Sequence, residues 1–400
     1  MKKKRILFTI ANFNIGGPQK SLLALLHKID YTKYECDLMI LSGEGALLKY
    51  LPPAVNVLET PIEIKFALIS KKELRKSTFK LLQRKKAKLV FKALNTLNDG
   101  YKLNNMGQAR QKFWLENHKY FPELNQKYDV AFGVSGGHSM MYINDCVSSN
   151  KKIGWIRSDY RVLKRNIKID NIYFRGMDYI LSVSKECKVI FDGMFPEHAH
   201  KTVTMYNVLP FDIYKNIKSD ISFLEKEHNT INVLTICRLD PNKGIDMAME
   251  AMSKLLEKKI NIKWYVLGDG SFKKSIEDEI KKRKLENNFI LLGFHLNTMD
   301  FIEKCDIVVH PSRFEGKSNV IDEAKYLNKP IIATNYETVG EQIQDNINGI
   351  IAEMNGESIA NNIEKLINSK ELREKLITNL SNEESTEEQS LKTFYRIIEN

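Results

Sequence analysis

Hydrophobic residues occur along the chain in short runs, separated by longer amphipathic segments. In the first half the pattern predicts a helix at 21–29 and strands at 5–11, 35–41, 129–134, 152–156 and 179–183. After residue 207 it begins again, predicting strands at 232–237, 263–267, 289–292, 307–310 and 330–334 and helices at 245–258, 273–284, 299–304 and 319–327. Short apolar strands alternating with helices are typical of a parallel sheet with right-handed crossovers.

Two such series in one chain predict an α/β protein of two doubly wound, Rossmann-like domains that face each other across a cleft. The expected domains are 1–208, with a basic helical insertion at about 62–125, and 209–400. A single eight-fold α/β barrel is the alternative. The Gly16-Gly17 turn after the first strand and the fresh start near residue 230 favour two domains.

The composition is that of a soluble globular enzyme, with 43% hydrophobic and 28% charged residues in 400, which excludes disordered and collagen-like chains. No apolar run reaches the roughly 18 residues that a membrane span needs. The basic start Met1–Arg5 resembles that of a signal peptide, but only Ile6–Ala11 is apolar after it. A buried first strand and a cytoplasmic location are therefore expected. The five cysteines are scattered without metal-ligand spacing, as reduced thiols would be.

Charge is distributed unevenly along the chain. Residues 1–210 carry 35 basic and 18 acidic residues, a net charge of +17, whereas the remainder carries 26 basic and 32 acidic residues, a net charge of −6. Such asymmetry indicates that the two halves have different partners.

The densest basic segment is Lys71–Lys92, in which ten lysines and arginines face only Glu73. Its apolar residues recur at spacings of three and four, which predicts one or two amphipathic helices. Such helices suit an anionic membrane surface, although a solvated helix face packed on its own domain is also compatible with the pattern. Nucleic acid is not expected, because no aromatic-interleaved basic strand or zinc-finger spacing accompanies the charge.

The loops after the predicted strands carry the candidate chemistry, since ligands of open α/β sheets bind at the carboxyl ends of the strands. Gly16 and Gly17 follow the first strand and would let backbone N–H groups approach an anion; a purely structural turn explains them equally well. Arg238 and Lys243 flank a strand-to-helix turn and suit a diphosphate, with two surface cations as the alternative. The turn Gly268-Asp269-Gly270 has a supporting role.

The segment 310–323 combines the most candidate groups. Its loop presents Glu315, and Gly316, Lys317, Ser318 and Asn319 open a helix whose first N–H groups would hold phosphate. Glu323 follows two turns later, whereas Asp322 would point to another face and is expected to be an ordinary surface residue.

With these motifs in place, residues 230–352 resemble the nucleotide-sugar half of a retaining glycosyltransferase of the GT-B fold, glycosyltransferase family 4. The resemblance rests on the Arg238/Lys243 segment, on Gly268-Asp269-Gly270, on Pro311-Ser312 and the Glu315/Glu323 pair, and on Asn348-Gly349, taken to follow the last strand. Weaker matches in the other half are Gly16-Gly17, Ser182-Val183-Ser184 and Tyr206-Asn207-Val208. The segment after Glu315 is especially similar to bacterial capsule and polysaccharide glycosyltransferases.

The resemblance implies a role for each matching residue. Arg238 and Lys243 would bind the donor diphosphate and stabilise the leaving group, Glu315 would hold hydroxyls of the transferred sugar, and Glu323 would hold the ribose. Backbone groups of Gly16, Gly17 and Gly316–Asn319 would complete the donor site, and His138 would be an active-site histidine, with a structural histidine as the alternative. The final helix, at about 386–398, would return to the first, acceptor-binding domain. A UDP-sugar is the expected donor, and the acceptor would be a lipid-linked or polymeric glycan.

Two departures from the family pattern concern the acceptor. Gln19 stands where many relatives have an acidic residue, and Trp155-Ile156-Arg157 replaces a Trp-x-His segment. Arg157 would then bind a phosphate of the acceptor, and Asp159 would orient it.

The resemblance also implies the mechanism. No carboxylate is placed for a covalent intermediate, so the family's front-face substitution is expected. No cofactor or metal is expected, because cations neutralise the diphosphate and no Asp-x-Asp tripeptide occurs. A sugar-nucleotide isomerase or phosphorylase on the same scaffold, and a non-catalytic sugar- or partner-binding scaffold, remain the alternatives. Oligomeric state is not encoded in any of these motifs.

Overall fold

The computed structural model describes residues 2–14, 16–68, 71–83, 86–214, 217, 221 and 229–399, with the backbone alone for 71–76. The chain divides into two compact units. The first comprises Met1–Pro210 together with Thr386–Asn400, and the second comprises Phe211–Ser385.

The first unit is built on a seven-stranded parallel sheet in the order β3-β2-β1-β4-β5-β6-β7. Its strands are β1 Lys4–Ile10, β2 Tyr34–Ile40, β3 Val55–Leu58, β4 Leu124–Val134, β5 Val147–Ile156, β6 Tyr179–Ser182 and β7 Thr202–Thr204. Its helices before the second unit are α1 Gly17–Lys28, α2 Ile62–Ala67, α3 Lys71–Gln83, α4 Ala87–Lys102, α5 Met106–Asn117, α6 His138–Cys146, α7 Ile167–Arg175 and α8 Lys185–Met194. The change of direction between β1 and β4 places the loops after these two strands side by side at the carboxyl edge.

The second unit has a six-stranded parallel sheet in the order β10-β9-β8-β11-β12-β13. Its strands are β8 Ile231–Ile236, β9 Ile262–Leu267, β10 Phe289–Gly293, β11 Ile307–His310, β12 Ile331–Thr334 and β13 Ile350–Ala352. Its helices are α9 Phe211–Tyr214, α10 Ile245–Glu257, α11 Lys273–Lys282, α12 Met299–Lys304, α13 Asn319–Tyr326, α14 Gly356–Asn368 and α15 Lys370–Ser381. Buried side chains pack on both faces of this sheet, which is why its strands are mostly apolar.

The last helix, α16 Thr386–Glu399, packs on the first unit although it follows the second in sequence. Phe394 is buried and stacks on Phe132 and Phe8, with ring centroids 5.6 and 6.4 Å apart. Lys4 donates to the carbonyls of Ile398 and Glu399, and cations at a helix carboxyl end satisfy its free carbonyls.

The strands and helices predicted from hydrophobic periodicity are confirmed to within five residues, but the short strands β3, β7 and β13 were not predicted, nor were helices such as α6, α8 and α14. Strands β7 and β13 have only three residues each, too few to show a period, and β3 is largely exposed and interrupted by Asn56. As a result, Asn348-Gly349 was placed after the last strand, which is wrong, because these two residues precede β13.

Within the described ranges, no helix combines the length and apolar character needed to cross a bilayer. All five cysteines are free thiols, and four of them are buried.

Candidate active site

Three loops of the second unit meet at the carboxyl edge of its sheet through contacts between their backbones. Gly268 has a φ of +150°, and a Cβ there would lie 1.7 Å from the carbonyl oxygen of Cys237. Gly244 has a φ of +65°, and a Cβ there would lie 1.9 Å from the carbonyl oxygen of Pro311. Only glycine permits both the conformation and the close approach, so the loops after β8, β9 and β11 are held against one another.

Glu315 lies where the loops after β8 and β11 meet, and three donors surround its carboxylate. Lys243 Nζ lies 2.6 Å, Ser312 Oγ 2.8 Å and His310 Nε2 2.9 Å from the same oxygen, Oε1. Thr338 Oγ1 donates to the Glu315 backbone carbonyl at 3.1 Å. Because these contacts converge on one oxygen, the carboxylate is fixed in orientation.

The groups around Glu315 stabilise the negative charge of its carboxylate. Its side chain is only 14% exposed, and burial alone would raise the pKa of its carboxyl. The Lys243 ammonium and the hydrogen bond from His310 outweigh burial and hold that pKa well below its usual range. An oriented, ionised carboxylate of this kind accepts hydrogen bonds from hydroxyl groups.

His310 and Ser312 contribute to this site, although the sequence analysis assigned them no role. His310 is buried at the end of β11, and its Nδ1 is buried with no hydrogen-bond partner among the described residues. A polar residue ending an otherwise apolar strand is the signal that would have identified it, since the strand's carboxyl end faces the site.

Arg238 and Lys243 do not point at a common partner within the described residues. Arg238 donates from Nε to Asp240 at 2.7 Å, and its side chain is 75% exposed. Lys243 is 19% exposed and pairs with Glu315. Arg238 is therefore the cation of this loop that is open to an approaching anion.

The loop that opens α13 uses part of its predicted anion-binding capacity internally. Ser318 caps the helix, accepting from the backbone N–H of Ile321, and its own N–H donates to Gln342 Oε1 at 2.8 Å. Lys317 pairs with Asp322, which the sequence analysis had treated as an ordinary surface residue. Gly316 precedes these contacts on the loop, and Asn319 is the first residue of α13.

Glu323 is 1% exposed and faces away from solvent. Its Oε2 accepts from Thr298 Oγ1 at 2.7 Å and its Oε1 from the Tyr214 hydroxyl at 3.4 Å. Burial and the Glu323 charge together raise the pKa of Tyr214 well above its usual range, so its proton stays on the phenol. Glu323 joins α13 to α9 and to the start of α12 in this structure.

In the first unit, Arg157 is anchored beside the Gly16-Gly17 loop. Its NH2 group donates to the carbonyl of Pro18 at 2.9 Å, and its guanidinium lies 4.1 Å from the centre of the Trp155 ring. Burial lowers the pKa of Arg157 to about 9, and its NH1 atom is buried with no partner in the described part of the chain. A desolvated guanidinium with an unused donor is suited to an oxyanion.

Asp159 does not orient Arg157 in this structure. Its carboxylate takes the Arg161 guanidinium, with NH2 to Oδ2 at 2.6 Å, and accepts from the Arg161 backbone N–H at 2.9 Å. The residue shapes the turn after β5.

His138 is the first residue of α6, and its ring packs edge-on against Trp114 at 5.5 Å. Burial and the charges of Arg165 and Arg110 lower the pKa of His138 to about 3, so it is neutral at physiological pH. Its Nε2 is a buried atom with no partner among the described residues.

No group of three or more His, Cys, Asp or Glu side chains within the described ranges is arranged to hold a metal ion. The charged groups described at the site are Lys243, Arg238 and the oriented Glu315 carboxylate.

This architecture is that of the GT-B glycosyltransferases. A cyanobacterial relative in fold, Anabaena Alr3699/HepE in complex with UDP and glucose, superposes with a TM-score of 0.69 at 17% identity, covering 99% of this chain and 100% of that one. At such identity the likeness shows the fold alone, and it confirms the predicted pair of doubly wound domains.

Residues 216–382 match the family described as Glycosyl transferases group 1. The resemblance inferred from the motifs is thereby confirmed.

Two curated relatives are similar to part of this chain. One is the N-acetylgalactosamine-N,N'-diacetylbacillosaminyl-diphospho-undecaprenol 4-alpha-N-acetylgalactosaminyltransferase of Campylobacter jejuni, which is 25% identical over 60% of this chain and 63% of its own length. The other is the capsular polysaccharide biosynthesis glycosyltransferase CapM of Staphylococcus aureus, which is 30% identical over 38% of this chain and 41% of its own length. The chain thus spans about half the length of the curated relatives it matches.

Proposed function

We propose that the protein is a retaining glycosyltransferase that moves a sugar from a UDP-sugar to a glycan acceptor in the synthesis of a bacterial surface polysaccharide. The observation that carries the proposal is the ionised Glu315 carboxylate, oriented by Lys243, His310 and Ser312 at the carboxyl edge of the second sheet. It lies within the segment matched to the glycosyltransferase family. The UDP complex of the HepE neighbour supports UDP as the nucleotide of the donor.

In the proposed reaction the bond between the anomeric carbon and the diphosphate breaks, and a bond to the acceptor oxygen forms on the same face of the sugar. The acceptor's proton passes to an oxygen of the departing diphosphate. Glu315 holds sugar hydroxyls, Arg238 and Lys243 stabilise the charge that develops on the leaving group, and no metal is needed. His138, neutral at the pH of the cell, serves as a hydrogen-bonding group toward the sugar.

We propose that the acceptor is a lipid-linked or polymeric glycan carrying phosphate. The Campylobacter relative is named for a diphospho-undecaprenol acceptor, and the net charge of +17 over residues 1–210 favours an anionic one. Arg157, with its buried donor beside Pro18, is the residue suited to the acceptor phosphate. The transfer reaction would take place at the cytoplasmic face of the membrane.

The donor site is tested by a thermal-shift screen with UDP, GDP, ADP and CMP in the presence of EDTA. A ligand at 100 times its dissociation constant stabilises the fold by about 2.7 kcal/mol, and we expect UDP alone to do so. Arg238→Ala should weaken the shift, whereas Lys282→Ala should not. Both side chains are about three quarters exposed and each pairs with a nearby carboxylate, which makes them a matched pair.

Turnover then separates the alternatives. With a UDP-sugar and an acceptor, NMR of the product should show the donor's anomeric configuration; inversion would contradict the mechanism. A rearranged sugar nucleotide formed without acceptor would indicate an isomerase, and UDP binding without any product would indicate a binding scaffold. Absence of a shift with every nucleotide would overturn the donor site itself.

A further inference from the structure

Helices α3 and α4, together with Leu103 directly after α4, expose large apolar side chains in addition to those that the helices bury. Leu81, Leu89, Val90 and Ala93 are buried in the first unit's core. On the outside, the exposed fractions are 68% for Phe79, 66% for Phe91, 62% for Tyr101, 60% for Leu103, 55% for Leu94 and 47% for Leu82. A helix that only covers its own domain presents polar residues to solvent, so these six residues require another explanation.

Lysines accompany the exposed apolar residues. On α4, Phe91, Leu94 and Tyr101 follow one another at spacings of three and seven residues and so lie on one side of the helix. Lys88, Lys92 and Lys102 lie next to them, and Lys80 is exposed beside Phe79 on α3. Arg84 and Lys85, and the side chains of 71–76, lie outside the described residues.

Negative charge is nearly absent from this part of the chain. Between Glu73 and Glu116 the sequence contains eleven lysines and arginines and a single carboxylate, Asp99. A second copy of the same surface would therefore meet it with like charge. An anionic lipid surface, in contrast, has both an apolar interior for the exposed side chains and negative headgroups for the lysines.

We propose that the α3–α4 surface, defined as Phe79, Leu82, Phe91, Leu94, Tyr101 and Leu103 with Lys80, Lys88, Lys92 and Lys102, inserts its apolar side chains into an anionic bilayer surface. The lysines attract the protein to the headgroups, and Phe91 and Leu94 bury their side chains at the boundary with the acyl chains. The surface belongs to the first unit and the Glu315 site to the second, so vesicle binding and nucleotide binding are tested on different residues.

The test is vesicle flotation with the full chain, using phosphatidylcholine vesicles with or without phosphatidylglycerol, at about 0.15 M and about 1 M salt. The double variant Phe91→Ser/Leu94→Ser should lose roughly tenfold or more in affinity for the anionic vesicles at either salt concentration, because less apolar area is removed from water. Lys88→Gln/Lys92→Gln should lose affinity mainly at the lower salt concentration. Val189→Ser, on α8 and 65% exposed in the wild type, is the matched control and should bind like wild type.

Insertion itself is measured with Phe91→Trp, whose fluorescence should shift to shorter wavelength and be quenched by brominated lipid, whereas Val189→Trp should not respond. Wild-type affinity of the Phe91→Ser/Leu94→Ser variant would overturn the proposal, as would failure of the wild type to bind anionic vesicles. A wild-type dimer in solution that the same double variant converts to monomer would instead identify the surface as a contact between copies.

Discussion

Replacing Lys243 by Met should destabilise the second unit in a manner that depends on pH. The substitution keeps the length of the side chain and removes the ammonium that lies 2.6 Å from Glu315. A charge-assisted hydrogen bond contributes about 1.5–3 kcal/mol, and removing one partner of a fully buried pair costs about 3–5 kcal/mol. Because Glu315 is 14% exposed and keeps His310 and Ser312, we expect a loss of about 2 kcal/mol at pH 7.

The pH dependence follows from the direction of the pKa shift. A carboxyl whose pKa is depressed in the folded protein contributes stability above its unfolded pKa, 4.5 for glutamate, and loses that contribution as the pH falls toward the folded pKa. Between about pH 5 and about pH 4 the wild type therefore loses about 0.7 kcal/mol from Glu315. Without Lys243 the pKa of Glu315 rises and this loss becomes smaller, so the difference in free energy of unfolding between the two proteins narrows as the pH falls.

Hydrogen exchange read out by mass spectrometry is a suitable assay, because it resolves the two units. Peptides from β8 and β11 should exchange faster in the variant, reporting the loss of stability, and the exchange of peptides from β4 and β5 should remain unchanged. Lys258→Met removes a more exposed pair with Glu364, whose side chains are 43% and 33% exposed, and should cost under about 1 kcal/mol. If the difference in free energy of unfolding between Lys243→Met and wild type stays constant from pH 7 to pH 4, the electrostatic reasoning is refuted.

Two further substitutions test the packing. Gly244→Ala should lower the stability of the second unit by about 2–3 kcal/mol and weaken UDP binding in calorimetry, since it adds left-handed strain and a clash with Pro311. Gly340→Ala is the control, because a Cβ at Gly340 meets nothing within 4 Å. Equal stability and equal UDP binding of the two variants would contradict the close approach of Gly244 to Pro311. Phe394→Ala should destabilise the first unit by about 3–5 kcal/mol, seen as faster exchange in β1 and β4 with β8 unaffected; faster exchange confined to β8 would show that α16 stabilises the other unit.

Much of the fold was predictable because the strands of a doubly wound sheet are buried on both faces. Runs such as Ile231–Ile236 and Ile307–His310 are mostly apolar and almost wholly buried, and the turns between strand and helix carry Gly and Pro. Helix α16 was expected to return to the first domain because of the family resemblance, whereas its own sequence shows only an amphipathic period. Its partners Phe8 and Phe132 are hundreds of residues away.

The candidate site was only partly predictable. Lys243 and Glu315 were each singled out, but their pairing was not, because it depends on β8 and β11 being neighbours in the sheet. Glu323 was expected to face a ligand, and the structure buries it against Thr298 and Tyr214. Local sequence does not show which face of α13 the neighbouring elements cover.

By itself, then, the sequence determined the alternation of strands and helices, the two-unit organisation and the positions of the charged loops, since these depend on periods and turn residues within a few positions of one another. Only the tertiary structure decided that Gly268 and Gly244 must lack a side chain, that three donors share one oxygen of Glu315, and that α3 and α4 are apolar on the outside as well as the inside. Each of these features depends on whether a residue faces another segment of backbone or faces solvent. The order of the strands and the packing around them determine this, and distance along the chain does not.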